Sequence, residues 1–180
     1  MKKMLMIIIV SVFLMLSGCS EKLDGYHDKQ LSYLKKYGAT IYVYKEAVEN
    51  YPSFKVFDEL SEIEFEKNFV LVAFDCSKGS ENINKKLLND LYKKFETDSR
   101  LMVSFVLAEN YEFLLETAFS SNGRVPSKDT EVSFSYYNFY QGFSGVSTMS
   151  YSLKTPPTVL LAGSIIGPFH SSIINYMKEF

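Results

Sequence analysis

The feature that most constrains the fold is an unbroken run of apolar residues in the middle of the chain, residues 69–74. Such a run, short and containing β-branched residues, is typical of a strand that is covered on both faces. A loop at residues 75–79 follows, and apolar residues then recur at helical spacing from Ile83 to Phe95. A buried strand followed by an amphipathic helix predicts an α/β domain with this strand at its centre.

The rest of the chain alternates between helical and extended patterns. Helices are predicted at residues 26–37, at 53–63 with Val56, Leu60 and Ile63 inward, from a cap at Ser80 to Phe95, and at 111–119 with Leu114, Leu115 and Ala118 inward. Strands are predicted at residues 39–45, 101–108 and 158–162, followed by a hairpin between Gly163 and Gly167 and a last helix capped by Ser171 or Ser172. This alternation predicts that the first three strands are parallel and that the closing hairpin makes the sheet mixed.

Residues 122–149 are rich in Ser, Gly, Tyr and Phe and leave two interpretations open. Residues 132–140 alternate as a strand does, but they also fit a helix that contains aromatic residues. The segment is either an insertion packed on the core or a surface that faces a partner, because Tyr and Phe contribute much of the binding energy at protein interfaces.

The first residues have the pattern of an export signal. Lys2 and Lys3 precede an apolar stretch at residues 4–16, which is short for a membrane span. The stretch ends in the sequence Leu16-Ser17-Gly18-Cys19. This order resembles the signal peptide and lipobox of bacterial lipoproteins. An ordinary signal peptide and an uncleaved anchor are the alternatives.

The lipoprotein resemblance implies cleavage before Cys19 and a lipid, with acyl chains such as palmitate, on the sulfur of Cys19. Residues 1–18 are then the signal peptide, residues 19–25 a lipidated tether, and residues 26–180 a single domain. The protein is expected on the extracytoplasmic side of the cell membrane or the outer membrane. Two or more acyl chains make such an anchor stable.

Charge and cysteine content narrow the function further. Without Lys2 and Lys3 the chain has 17 basic and 21 acidic residues, a net charge of −4, so a nucleic-acid partner is not expected. Of the two cysteines only Cys76 would remain a thiol, so no internal disulfide can form.

A second resemblance lies near the end of the chain, in Tyr151-Ser152-Leu153-Lys154-Thr155-Pro156-Pro157-Thr158-Val159-Leu160-Leu161 followed by Gly163. With the order of elements, this run resembles the Pro-Thr strand of thioredoxin-like proteins. It implies a thioredoxin-like α/β/α sandwich with a central mixed sheet and an aromatic, Ser/Gly-rich insertion before the Pro-Thr strand. It also implies a cis peptide bond at Pro157, facing the active site. The alternative is a turn before an edge strand.

Thioredoxin-like enzymes place a Cys-x-x-Cys pair after the central strand, where the helix N-terminus lowers the thiol pKa. In this chain Gly79 and Asn82 stand at the corresponding positions, and Cys76 lies three residues earlier. The resemblance therefore implies a groove at Gly79, Asn82 and Pro157 without the redox pair.

The sequence thus predicts a binding or accessory lipoprotein, redox-inactive, with a protein or peptide partner. The alternative is a single-cysteine enzyme that handles disulfides or peroxides through Cys76. No metal or cofactor is expected, because the only histidines, His27 and His170, have no ligand spacing with carboxylates. The acidic residues between 58 and 66 are interpreted as a solvated face.

Overall fold

The computed structural model describes residues 28–45, 54–67, 69–76, 83–98, 100–108, 112–122, 132–138, 144–150, 165–167, 169–171 and 173–174. Helix α1 covers residues 28–36. The following elements are β1 (Thr40–Tyr44), β2 (Lys55–Phe57), β3 (Val70–Asp75), α2 (Lys85–Thr97), β4 (Leu101–Ala108), α3 (Glu112–Leu115), β5 (Val132–Asn138) and β6 (Ser144–Ser150). Three 3-10 turns lie at Leu60–Glu62, Phe65–Lys67 and Ala118–Asn122. Residues 165–167, 169–171 and 173–174 are also helical.

The strands form one six-stranded sheet in the order β2-β1-β3-β4-β5-β6. The pairs β1–β2, β1–β3 and β3–β4 are parallel, and β4–β5 and β5–β6 are antiparallel. The prediction that residues 39–45, 69–74 and 101–108 form parallel strands is confirmed. The sheet is mixed, as expected, but the antiparallel strands that make it so are β5 and β6.

Strand β3 is central because both of its edges are paired and both of its faces are covered. Its backbone pairs with β1 from Thr40↔Val70 to Val43↔Ala73, and with β4 from Val70↔Leu101 to Asp75↔Val106. From Val70 to Phe74 no residue is more than 3% exposed. Burial on both faces therefore explains the continuous apolar run at residues 69–74, as the sequence predicted.

Helical elements cover both faces of the sheet, so the domain is an α/β/α sandwich. On the face that packs against α2, here called the α2 face, the strands contribute Tyr42, Tyr44, Val70, Val72, Phe74, Leu101, Val103 and Phe105. The opposite face, called the α1 face, is covered by Leu34 of α1 and by Ile165, Ile166, Phe169 and Ile173. Alternate strand residues point to opposite faces, which gives each face its own apolar set.

Two residues that flank β2 are buried on opposite faces of the sheet. Phe54, just before β2, is buried on the α1 face, whereas Ile63, between β2 and β3, is buried on the α2 face together with α2. The chain moves along the sheet in one direction from β1 to β2 and in the other from β2 to β3 and β4. Two right-handed crossovers that move in opposite directions along a sheet lie on opposite faces of it. The burial of Phe54 and Ile63 on opposite faces fits this handedness.

Helix α2 has the strongest helical pattern of the sequence, and its apolar residues are buried as predicted: Leu87, Leu88, Leu91, Tyr92 and Phe95. Its cap differs from the prediction. The side chain of Asn84 accepts hydrogen bonds from the backbone N–H groups of Lys86 and Leu87, so the helix begins at Lys85. The predicted cap, Ser80, lies outside the described residues.

The helix predicted at residues 53–63 is wrong. Val56, Leu60 and Ile63 fit a helical period, but Val56 is 43% exposed and its neighbour Phe57 is buried. The Phe57 ring lies 5.4 Å from the Tyr44 ring and 6.2 Å from the Phe74 ring, measured between centroids. Pairing with β1 and this aromatic packing make Lys55–Phe57 a strand, since tertiary contacts override local periodicity.

Two further predictions need correction in the C-terminal half. The helix expected at residues 111–119 is only one turn, α3, and Leu115 is 58% exposed rather than inward. Gly167 belongs to a helical stretch and does not close a hairpin. The helical residues start before Ser171, because Ile165, Ile166, Phe169 and Ile173 recur at helical spacing and are buried on the α1 face.

The segment whose conformation was open forms sheet structure where it is described. Of the two options for residues 132–140, the strand is confirmed, as β5 at Val132–Asn138. Strand β6 then pairs with β5 over seven residue pairs, from Val132↔Ser150 to Asn138↔Ser144. These residues extend the sheet beyond β4. The predicted strand at residues 158–162 lies outside the described residues.

Within the described ranges, no helix is long and apolar enough to cross a membrane.

The aromatic cluster on β3 provides a test of the core. Phe74 is 0% exposed, and its ring stacks on Phe105 at 5.2 Å between centroids. We expect Phe74→Ala to lower the free energy of unfolding by about 3–5 kcal/mol, because it removes a buried ring and leaves a cavity. Urea denaturation measures the loss. The control Val56→Ala, at a largely exposed position, should cost about 0.5 kcal/mol or less, and equal losses would contradict this core.

Candidate functional site

The candidate site lies where β1 and β3 end side by side. The two strands are parallel neighbours, so their carboxyl ends meet at the same edge of the sheet. The strand order reverses at this point, because the chain places β2 on one side of β1 and β3 on the other. In open α/β sheets, ligands commonly bind in a crevice at such a switch point of the strand order.

Cys76 directly follows β3 and turns inward. It continues the alternation of Val72 and Phe74, so its side chain belongs to the core of the α2 face. The residue is 3% exposed. Its backbone N–H donates to the carbonyl oxygen of Val106 at 2.9 Å, and its Sγ donates to the carbonyl oxygen of Phe74 at 3.6 Å. The thiol is therefore packed in the core of the α2 face, with almost no access to solvent.

The electrostatics of Cys76 disfavour a nucleophilic role. Burial, assisted by the negative charge of Asp75, raises the pKa of the thiol from 9.0 to about 12, although the backbone of Val106 acts in the opposite direction. The thiolate is the reactive species in disulfide and peroxide chemistry, and reactive cysteines have lowered pKa values. With a raised pKa and almost no exposure, Cys76 has the properties of a structural thiol.

At the end of the neighbouring strand, Lys45 directly follows β1. Its φ is 59°, in the left-handed region, and it is the one non-glycine residue with positive φ among those described. Its N–H donates to the carbonyl oxygen of Phe57 at 2.9 Å, which fixes the backbone, and the side chain is exposed. Its Nζ lies 5.0 Å from the centre of the Tyr44 ring.

The backbone of Lys45 points to function because a left-handed conformation costs a non-glycine residue roughly 1–3 kcal/mol. Such residues cluster at ligand-binding positions, where the surrounding structure holds them in place. The register pairs Val43 with Ala73, so Lys45 and Asp75 each lie two residues further along neighbouring strands. One positive and one negative residue thus stand at the adjacent carboxyl ends of β1 and β3.

Five of the residues that the sequence analysis singled out lie outside the described residues: Gly79, Asn82, Pro157, Cys19 and His27. Both edges of β3 are occupied by β1 and β4, so the predicted strand at residues 158–162 has no free edge of β3 to join.

The second histidine, His170, lies against helix α1. The ring of His170 contacts that of Tyr33, at 4.7 Å between centroids, and burial lowers the pKa of its imidazole. Among the described residues, no three His, Cys, Asp or Glu side chains form a group that could hold a metal ion.

Sequence reasoning missed Lys45. Its neighbours, Ile41 to Tyr44, alternate as a strand does, and Lys45 stands at the end of that pattern. A lysine has no preference for the left-handed region, so nothing in its residue type signals the positive φ. The switch point was missed because it depends on β2, which the sequence predicted as part of a helix.

No protein-family model, curated protein or solved structure matches this chain.

The thiol of Cys76 can be tested by alkylation. With a pKa of about 12, we expect about one thiol in ten thousand to be ionised at pH 8. Iodoacetamide should therefore leave Cys76 unmodified in the folded protein and modify it rapidly in denaturant, as measured by mass spectrometry of its peptide. Labelling of the folded protein should increase only at strongly alkaline pH. The Cys76→Ser variant controls for reaction elsewhere, and rapid labelling of the folded protein at pH 8 would contradict a buried, protonated thiol.

Proposed function

We propose that the chain is a lipoprotein, anchored outside the cytoplasm through Cys19, whose domain is a redox-inactive binding or accessory module. Its ligand is a protein or peptide partner, held at the crevice between the ends of β1 and β3. The observation that carries the choice of binding over thiol chemistry is the state of Cys76, which is buried with its pKa raised to about 12. The anchor is supported by the lipobox Leu16–Cys19, which follows a short apolar segment.

Two features favour binding at the ends of β1 and β3: the switch point of the sheet and the charged residues beside it. The switch point of the strand order is the place where ligands of open α/β sheets commonly bind. Lys45 supplies an exposed cation on a backbone held in a costly conformation. Asp75, at the end of the neighbouring strand, makes the place bipolar, which is compatible with a peptide that presents both signs of charge.

The thioredoxin-like arrangement remains a proposal for the part of the fold beyond β6. It is supported by the three parallel strands β1, β3 and β4, by the antiparallel strand beside β4, and by the helical residues 165–167, 169–171 and 173–174, which cover the α1 face. The occupied edges of β3 argue against the close approach of Pro157 that the resemblance implies. We therefore assign the binding site to the β1–β3 crevice and not to a groove at Gly79, Asn82 and Pro157.

The single-cysteine enzyme is the alternative, and its own requirements weigh against it. A peroxide or disulfide must reach the attacking sulfur, and the sulfur must lose its proton near neutral pH. Cys76 is 3% exposed and its thiol donates to the carbonyl of Phe74. An enzyme of this kind would show turnover that Cys76→Ser abolishes, whereas a binding module would keep its function in that variant.

The anchor gives a prediction that separates the two cysteines. We expect Cys19→Ala to abolish lipid modification and either to release the protein from membranes or to leave residues 1–18 uncleaved, because the lipid and the cleavage site both depend on Cys19. Membrane fractionation and the intact mass measure the two effects. Cys76→Ala is the matched control and should be processed normally. Normal processing and membrane retention of Cys19→Ala would disprove the lipoprotein proposal.

The crevice gives a second prediction, made with the full anchored chain. A photo-crosslinking residue at position 45 should yield a discrete adduct in cells, and the same residue at position 93 should not, because Lys93 is exposed on α2, away from the crevice. With the crosslinked partner purified, Lys45→Glu should weaken binding about fivefold, which corresponds to about 1 kcal/mol for an exposed charge.

Lys93→Glu makes the same charge change at the control position and should leave the affinity unchanged. Equal weakening by the two variants would indicate a general charge effect. Adducts that are equally strong at positions 45 and 93 would place the partner elsewhere and contradict the crevice.

A further inference from the structure

Helix α1 presents a surface that neither the core nor the crevice uses. Lys29, Tyr33, Lys36 and Tyr37 follow one another at i, i+4, i+7 and i+8, so they lie along one side of the helix. Leu34 lies on the other side and is 1% exposed in the core of the α1 face. We call these four residues, with His170 beside them, the aromatic stripe.

The rings of the aromatic stripe are in contact with each other and remain partly exposed. Tyr33 lies between the other two, with its ring 4.6 Å from that of Tyr37 and 4.7 Å from that of His170. The hydrogen bond with Tyr37 raises the pKa of the Tyr33 hydroxyl, and burial lowers the pKa of the His170 imidazole, so both shifts favour the neutral form of the ring. Rings that are held by contact and still open to solvent are pre-organised to bind another surface at a low cost in conformational entropy.

Cations flank these rings in a protein whose net charge is negative. Lys29 and Lys36 are exposed, and the Nζ of Lys36 lies 5.8 Å from the centre of the Tyr37 ring. Tyrosine is enriched where membranes meet water, since its ring is apolar and its hydroxyl is polar. Lysine beside it can place its apolar stem along the interface and its ammonium among anionic headgroups. The composition of the stripe therefore matches an anionic lipid surface.

The position of the stripe in the chain places it near a bilayer in the anchored protein. Asp28, where the described part of α1 begins, lies nine positions after Cys19. A fully extended chain of that length reaches about 30 Å. We propose that the aromatic stripe is a membrane-docking surface that lays helix α1 against an anionic leaflet, an inference that rests on the proposed lipid on Cys19.

Docking would also give the crevice a defined orientation. The stripe lies on one flank of the sandwich, and α3 lies on the other, so Leu115 is separated from it by the sheet and its covering helices. Two helix–sheet layers place these flanks about 20 Å apart. A domain docked through the stripe therefore turns α3 to solvent and leaves the edge of the sheet, with Lys45, open from the side.

The chain contains no tryptophan, so a single introduced Trp reports its own depth in a bilayer. The test uses the full lipidated protein in vesicles of phosphatidylglycerol and phosphatidylcholine, with brominated lipids as quenchers. We expect the Trp of Tyr37→Trp to be quenched and its emission to shift to the blue. The Trp of Leu115→Trp, at a 58% exposed position on the opposite flank, should behave as it does in water.

The charge contribution is tested by the double variant Lys29→Gln and Lys36→Gln in the Tyr37→Trp background. Each lysine near an anionic surface is expected to favour docking about fivefold, so the pair should change the docked-to-undocked ratio about 30-fold. Pelleting with vesicles should be unchanged, because the lipid holds the protein. Vesicles of phosphatidylcholine alone should reproduce the loss of quenching.

The outcomes separate the docking surface from the anchor. If the protein pellets with vesicles and carries a lipid on Cys19 but the Trp at position 37 is unquenched, the stripe does not dock and the anchor stands. Equal quenching at positions 37 and 115 would also overturn docking through the stripe. If Cys19 carries no lipid and the protein does not pellet, the proposed function fails, and the docking inference fails with it.

Discussion

The fold depends on the requirement that every backbone hydrogen-bonding group of β3 find a partner away from water. Its residues from Val70 to Phe74 are at most 3% exposed, so an unpaired N–H or carbonyl there would carry a large desolvation cost. Strands β1 and β4 satisfy these groups from both sides. Because parallel neighbours cannot be joined by a tight turn, the links must cross the faces of the sheet, where their helices bury the side chains of β3. The sandwich follows from that one strand.

The same requirement determines where a site can form. Strands β3 and β4 lie on one side of β1, and β2 pairs with the other side. This change of direction along the sheet creates the switch point. The end of β3 must also become buried, since Cys76 continues the inward alternation into the core of the α2 face. Burial then raises the pKa of the thiol. The packing at the end of β3 therefore removes the Cys76 thiol from nucleophilic chemistry, and the proposed binding site depends on the charged residues Lys45 and Asp75 instead.

The sequence predicted best the elements whose burial pattern is local. Residues 69–74 and 101–108 are continuous apolar runs, and α2 repeats apolar residues at one period, so each pattern has one structural solution. It failed at residues 53–63, where Val56, Leu60 and Ile63 suit a helix and the deciding contacts, from Phe57 to Tyr44 and Phe74, come from distant parts of the chain. The candidate site was missed for the same reason, because it also depends on contacts between distant parts of the chain. Its position depends on strand order, and the conformation of Lys45 depends on its bond to Phe57, neither of which a local pattern contains.

The two faces of the sandwich differ in a way that bears on how an anchored domain works. On the α2 face, the aromatic rings interlock: Phe74, Phe105 and Phe119 form a continuous buried series beneath α2. On the α1 face, part of the aromatic content lies outside the core, on α1 itself, where it stabilises little by burial. A domain held to a membrane only by a lipid and a linker can take many orientations, so its binding site faces a partner only part of the time. In the proposed arrangement, aromatic surface on the side of the tether restricts that rotation, and the ordering cost of partner binding is lowered before the partner arrives.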